Sequence, residues 1–363
     1  MNLGILLPKL YFLIGQTKLN WKNRKVAQKF ESKEEYFIEN GGILLEKQMA
    51  LSQGRNIEAG MLKILSKSEI EKATNNYDPD QIIGSFHGGT IYKGIFDDKV
   101  VAIRTPSKFD SNPELVNLFL TDVSIGMVIC HNNMVKIYGC CLETCVPMMV
   151  YEFCPNNDLY RYLHGDMELR NLLKWRDRLR VATDTAYALS YMHNALSKPV
   201  VHRDVMSFGI LLDSLYHAKL ANFGHSVVIT PGKKDQRWPV HGTPGYIDPE
   251  YIETEEVTKK KEVTEKCDVY SFGVLMLELL TSRDPVEMAR CGNDLVDDFV
   301  SEMKRNGFKA TIDMSLIEKG NIDGLQWFTR LALKCVARKG EERPSMIDVV
   351  EELWLMQDQS SKA

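Results

Sequence analysis

The hydrophobic period of this chain changes near residue 170, and that change restricts the folds open to it. Before it come short strand-like runs, TIYKGIF (90–96), KVVAIRT (99–105), MVKIYGCCLE (134–143) and PMMVYEF (147–153). One helix-like run, ELVNLFLTDVSIGMVI (114–129), interrupts them. Beyond residue 170 the apolar positions recur at helical spacing, as in RLRVATDTAYALSYMH (178–193) and VYSFGVLMLELLT (269–281). In the last segment Ser345 is placed to cap a helix, with Met346, Val349, Val350, Leu353 and Trp354 along one face. Segregated strands and helices predict an α+β fold, a small β-rich lobe followed by a larger helical lobe.

The chain has 363 residues, enough for one large two-lobed domain with an N-terminal extension. Its net charge of −4 gives no electrostatic basis for binding nucleic acid. The eight cysteines show neither metal-ligand spacing nor a secreted disulfide framework, and Cys140-Cys141 read as buried thiols in a reducing compartment. Residues 1–30 read as an apolar and basic leader. LGILLPKLYFLIG (3–15) is too short to span a bilayer, which takes roughly 20 apolar residues, and Pro8 and Lys9 break it. With Lys18, Lys22, Arg24, Lys25 and Lys29 behind it, the leader could contact an anionic membrane surface, but a flexible leader or a docking segment is the favoured reading.

Residues 31–77 predict a helical extension. EEYFIENGGILLEKQMA (34–50) has an amphipathic pattern, and GRNIEAG (54–60) reads as a loop. LSKSEIEKATNNYD (65–78) carries a capping box, Ser66 with Glu69, and a Leu65–Ile70 staple across it. Further on, EVTKKK (256–261) is followed at once by EVTEKC (262–267), a near-duplication whose charges predict a solvated loop.

Residues 78–357 resemble a plant receptor-like cytoplasmic kinase of the wall-associated-kinase-like group, with 358–363 as a tail. The resemblance rests on ordered motifs: KATNNYD, IYKG, VAIR, MVKIYGCCLE, MVYEFCPN, WRDRLRVA, YMHNA, VHRD, GTPGYIDPEY, DVYSFGVLMLELLT and RPSM. It implies a two-lobed protein-kinase-like fold. It also implies a nucleotide pocket at Gly84, Gly89, Ile91, Ala102, Arg104, Tyr151, Phe153 and Leu211. Asp248-Pro249-Glu250 with Arg343 would brace the large lobe, and Asp268 would organise the catalytic loop.

Several positions depart from the family's chemistry, and phosphoryl transfer depends mainly on positioning and charge neutralisation. In IGSFHGGTIYKG (83–94) Phe86 takes the middle glycine position, where a bulky side chain obstructs approach to phosphate. Arg104 replaces the strand lysine, and its carboxylate partner aligns with Asp122. Gly126 stands where a bulky spine residue is usual, weakening a helix and its packing. Within VHRDVMSFGILLD (201–213) Asp204 is retained, but Met206 replaces a lysine and Gly209 a metal-ligating asparagine. Asn222-Phe223-Gly224 replaces the metal-binding D-F-G, and an amide brings Mg²⁺ no negative charge.

Each tenfold in rate is about 1.4 kcal/mol of barrier, and a metal electrophile supplies several kcal/mol. The combined losses therefore lead to the expectation of a pseudokinase that is not an enzyme, requires no cofactor, binds ATP weakly if at all and does not use Mg²⁺. The alternative is an atypical, weakly active ATP-dependent Ser/Thr kinase in receptor-type signalling.

The degraded motifs, the ENGGILLE segment and the KATNN run are similar to those of the ZED-type pseudokinase branch. That resemblance implies a cytoplasmic adaptor or decoy in plant innate immunity, at the inner face of the plasma membrane. Its implied partners are the leucine-rich-repeat region of a coiled-coil NLR receptor and a bacterial effector or an effector-modified kinase. The small lobe and residues 31–75 would dock the receptor. The segment from Asn222 to Glu250 would sense the effector through Ser226, Thr230, Lys233, Lys234 or Thr243.

Overall fold

A computed structural model describes residues 32–51, 62–86, 89–106, 112–230, 237–252, 261–318 and 320–362. The chain opens with helix α1 (32–51), longer than the short amphipathic helix its sequence suggests. Next come strand β1 (Lys63–Ile64) and helix α2 (Lys67–Ala73). The capping box forms as expected, Ser66 accepting from the Glu69 amide at 3.3 Å and Glu69 Oε2 from the Ser66 amide at 2.8 Å. Leu65 and Ile70, the expected staple, are buried in one cluster with Val101, Ile103 and Val150.

Strands β2 (Ile82–Phe86), β3 (Gly89–Phe96) and β4 (Lys99–Pro106) precede helix α3 (Pro113–Val128), and β5 (Ile137–Cys141) and β6 (Met148–Glu152) follow it. The six strands form one sheet in the order β1-β5-β6-β4-β3-β2. β1 joins parallel to β5, Lys63 opposite Gly139. A side chain at Gly139 would meet the Lys63 carbonyl at 2.6 Å, so this edge strand requires glycine there. The stretch read as a helical extension therefore completes the small lobe's sheet, because the open edge of β5 offers backbone groups that β1 satisfies. Cys140 and Cys141 are buried as expected, and burial pushes their thiols up to about 12 and about 11.

The large lobe begins with α4 (Leu159–His164), α5 (Met167–Arg170) and α6 (Trp175–Asn194). Short strands β7 (Val200–Val201), β8 (Ile210–Leu212), β9 (Ala218–Leu220) and β10 (Val227–Val228) carry the cleft loops. β11 (Arg237–Trp238), α7 (Pro249–Ile252) and β12 (Lys261–Glu262) lead to the buried helix α8 (Lys266–Thr281). Helices α9 (Pro285–Arg290), α10 (Leu295–Asn306), α11 (Phe308–Thr311), α12 (Ile322–Cys335) and α13 (Met346–Lys362) complete it. On α13 the buried stripe is Met346, Val349, Leu353 and Met356, whereas Trp354 is 53% exposed, a difference from its expected place on the apolar face. The duplicated segment lies outside the described residues from 256 to 260, and its remainder, rather than a solvated loop alone, supplies β12, paired with β11, and the start of α8.

α1 touches both lobes. Asn40, 2% exposed, donates to the carbonyls of Leu142 and Thr144 at 3.0 and 2.9 Å, and Leu44 packs with Leu115, Phe119 and Leu120. At its other end Lys198 donates to the Ala50 carbonyl at 2.7 Å and Ser197 to that of Leu51 at 3.4 Å. No helix among the described residues is long and apolar enough to cross a membrane. The leader and its membrane contact lie outside them.

Candidate nucleotide and phosphotransfer cleft

The cleft lies between the small-lobe sheet and the loops around β8 and β9. Strand register brings the predicted pocket residues together: Ile91 opposes Arg104 across β3 and β4, and Ala102 opposes Tyr151 across β4 and β6. Tyr151 and Leu211 pack on the buried trio Val135, Cys154 and Ala221, an apolar floor where the lobes meet. Phe153 lies beside Lys93, whose ammonium is 5.2 Å from the ring centroid. Gly84 pairs with Ile91, and Gly89 faces the backbone of Phe86. His87, Gly88 and the side chain of Phe86, and with them the expected obstruction, lie outside the described residues.

Arg104 Nη1 stands 3.4 Å from Asp122 Oδ2, with its guanidinium 4.5 Å from the Phe119 ring centroid. Asp122 also accepts from the Phe223 amide at 2.9 Å through its other oxygen. One buried carboxylate thus fixes α3 against both β4 and the Asn222-Phe223-Gly224 turn. Burial pushes Asp122 above the usual carboxylate range, with Arg104 opposing the shift. Asn222 has φ 66° and ψ 54°, a left-handed conformation that asparagine tolerates better than most residues.

Gly126 does not weaken packing in the way its sequence position suggests. Ile137 Cδ1 occupies the space where its side chain would go, 2.3 Å from the Cβ position. The isoleucine of β5 supplies the bulk that α3 lacks.

In the catalytic loop Thr243 lies with its hydroxyl 2.7 Å from Asp204 Oδ1 and 3.0 Å from Met206 Sδ. At Gly209 the nearest atoms to a Cβ are 3.8 Å away, among them Asn222 Nδ2, so these two altered positions face one another. The donor set does not fit Mg²⁺: Asn222 offers a neutral amide and Gly209 no side chain. Among the described residues no three His, Cys, Asp or Glu side chains group as metal ligands.

Beneath the loop Asp268, fully buried, accepts from the amides of His202 and Arg203, both at 2.7 Å, and lies 2.8 Å from His193 Nε2. These contacts hold its carboxyl below the usual range against burial. Arg343 pairs chiefly with Asp248, at 2.8 Å through Nη2, while Glu250 is 3.7 Å away and accepts from the Gly340 amide at 2.6 Å. Sequence reasoning missed a second hub, Glu278, whose carboxylate is 2.7 Å from the Ser207 hydroxyl, 2.6 Å from that of Tyr246 and 2.8 Å from His164 Nε2. A lone acid inside the apolar run of α8 was the available signal.

Of the residues expected to report modification, Ser226 is buried, with its hydroxyl 3.5 Å from the His202 carbonyl. Thr230 is partly buried, and Lys233 and Lys234 lie outside the described residues. Nearby, Lys47, Arg203, His225 and His241 line a cavity of about 390 Å³ with no carboxylate among its described walls.

Lobes of this architecture, an ion pair joining β4 to α3 and a catalytic-loop aspartate define a protein-kinase fold. Residues 78–353 match the family described as protein tyrosine and serine/threonine kinase, and the chain belongs to it. It is 38% identical over 355 residues to wall-associated receptor kinase-like 1 of Arabidopsis thaliana, covering 96% of this chain and 47% of that protein. It is also 38% identical over 331 residues to wall-associated receptor kinase-like 4 and over 344 residues to wall-associated receptor kinase 2, both of Arabidopsis thaliana. Those matches cover 90% and 94% of this chain and 42% and 44% of the relatives. The chain thus spans less than half the length of these relatives.

The expectation that the chain is not an enzyme is corrected here. The family match and relatives named as kinases point to protein kinase activity. That expectation summed lost side chains. It took the retained Asp204 as insufficient to compensate; in the cleft Asp204 and the Arg104–Asp122 pair both stand in place.

Proposed function

We propose that the chain is a slow, ATP-dependent Ser/Thr protein kinase in receptor-type signalling. The observation that carries this reading is that Asp122 joins Arg104 and the Phe223 amide, keeping α3 seated against the cleft. In this reading ATP rests its adenine among Ala102, Tyr151 and Leu211, with Arg104 directed to the phosphates. A substrate hydroxyl takes the place of the Thr243 hydroxyl at Asp204, which accepts its proton. The hydroxyl oxygen bonds to the γ-phosphorus as the bond to the β–γ bridging oxygen breaks, and ADP leaves. Most of the acceleration would come from holding the two reactants in line. With the Mg²⁺ ligands replaced, no step is assigned to a metal, and the absence of that contribution sets a low rate.

The test is transfer from labelled ATP to a Ser/Thr peptide by the purified chain, with Asp204→Ala beside it. Transfer by the natural chain that Asp204→Ala lowers at least a hundredfold supports the reading, since general acid–base groups contribute about 10²–10⁴. No transfer above that of Asp204→Ala overturns it.

A second reading adds an adaptor role at the cytoplasmic face of the plasma membrane, docking the leucine-rich-repeat region of a coiled-coil NLR receptor and reporting a bacterial effector or a kinase it has modified. It is favoured by two cross-strand neighbours on the small lobe, Ile95 and Val100, which are 67% and 48% exposed. If Ile95→Asp with Val100→Asp leaves co-purification of such a receptor unchanged, this surface is not the docking site.

A further inference from the structure

The buried face of α1 is accounted for, but its outer face is not. Ile38 and Leu45 are 66% and 57% exposed there, and Phe37 44%. At about 100° per residue these three project to one side, with Gly41 and Gly42 between them. Nothing lies within 4 Å of the Cβ positions of either glycine, so the stripe contains a notch open to close approach by another segment. Glu35, Glu39 and Glu46 run along one edge of the stripe, and Glu34 stands at its N-terminal end, one turn ahead of Phe37 and Ile38, all exposed. Both lysines of the helix turn elsewhere: Lys33 pairs with Glu143 at 3.1 Å and Lys47 donates to Thr121 at 2.9 Å. The charges bordering this apolar face, along one edge and at its N-terminal end, are therefore all acidic.

We propose that this face is covered by the chain's own residues 3–29. That segment is complementary in both respects. LGILLPKLYFLIG supplies apolar side chains, and residues 1–30 carry Lys9, Lys18, Lys22, Arg24, Lys25 and Lys29 with no acidic residue. Reach is no obstacle, since residues 16–31 extend to about 50 Å, against about 30 Å for the whole of α1. An anionic membrane is the poorer occupant because the glutamates would face its headgroups. A second copy would bring the same acidic margins against themselves. Covering these exposed apolar side chains does not depend on any kinase activity.

The experiment places the photo-crosslinker p-benzoylphenylalanine at Leu45 in the full chain and maps the products by peptide mass spectrometry. The expected product is an intrachain link to residues 3–15 in monomeric protein. Glu35→Lys, Glu39→Lys and Glu46→Lys together should lower its yield at least fivefold, and Lys22→Glu, Arg24→Glu and Lys25→Glu should restore it. A melting temperature within about 2 °C of the parent shows that the charge variants are folded. Links found only in dimers, or absent from residues 1–30, overturn the proposal. So does loss of the intrachain product when vesicles of phosphatidylcholine and phosphatidylserine are absent, since the segment would then require a membrane.

Discussion

Ile137 Cδ1 lies 2.3 Å from where a Cβ at Gly126 would stand, so the two residues share one space across the α3–β5 contact. Leucine at Gly126 with isoleucine retained overfills the site, a change that costs about 1–3 kcal/mol. Chemical denaturation should show Gly126→Leu destabilised by that amount and Gly126→Leu with Ile137→Ala substantially recovered. Additive losses in the double variant would mean that the residues do not compete for the same volume.

Gly209 has room for a side chain, its nearest neighbours standing at 3.8 Å from a Cβ. Gly209→Asn with Asn222→Asp should therefore fold normally and gain Mg²⁺-dependent transfer from labelled ATP. At least a tenfold rise is expected, a modest part of the several kcal/mol a metal can supply. A folded double variant whose transfer is indifferent to Mg²⁺ would show that geometry, not the missing ligands, limits the site.

Removing one member of the Arg104–Asp122 pair leaves the other charge buried. Arg104→Met should destabilise by about 3 kcal/mol near neutral pH, as for other buried pairs that lose a partner. Burial has already raised the Asp122 pKa, and loss of Arg104 raises it further. The native state then binds a proton more readily than the unfolded chain, so stability falls as pH rises from the unfolded value to the folded one. The deficit of Arg104→Met should accordingly shrink as pH falls through this window; a deficit independent of pH counts against a buried charge as its cause.

His225 and His241 lie side by side, their ring centroids 4.9 Å apart and their planes tilted by 33°. Burial chiefly lowers both pKa values, Arg203 adding to the shift while Asp204 opposes it, as does Glu114 at His241. Both rings stay neutral in the fold where the unfolded chain takes up protons, so their contribution is present above about pH 6.5 and lost as pH falls through the folded pKa values. His225→Gln with His241→Gln should flatten the decline in melting temperature between about pH 6.5 and 5. An unchanged slope would assign that decline to other groups.

The lobes were legible because strand and helix periodicities survive in short windows, and the capping box at Ser66 because it is local. β1 was not legible: two residues carry no periodicity, and its pairing depends on Gly139 some seventy-five residues away. The site residues were readable by position, yet their relationships were not. Sequence showed Gly126 as a lost side chain, whereas Ile137 fills its place from another element. It likewise showed Asp122 only as the partner of Arg104, not as the acceptor for the Phe223 amide.

Helix α1 finally bears on where this protein can be cut. The family match begins at residue 78, yet Asn40 closes carbonyls of the β5–β6 turn, and Leu51 belongs to the large-lobe core. A fragment trimmed to the match would lose the edge strand beside β5 and the lid over Leu115 and Phe119. A piece that keeps these contacts starts at α1, some forty-five residues ahead of the boundary drawn by the family match at residue 78.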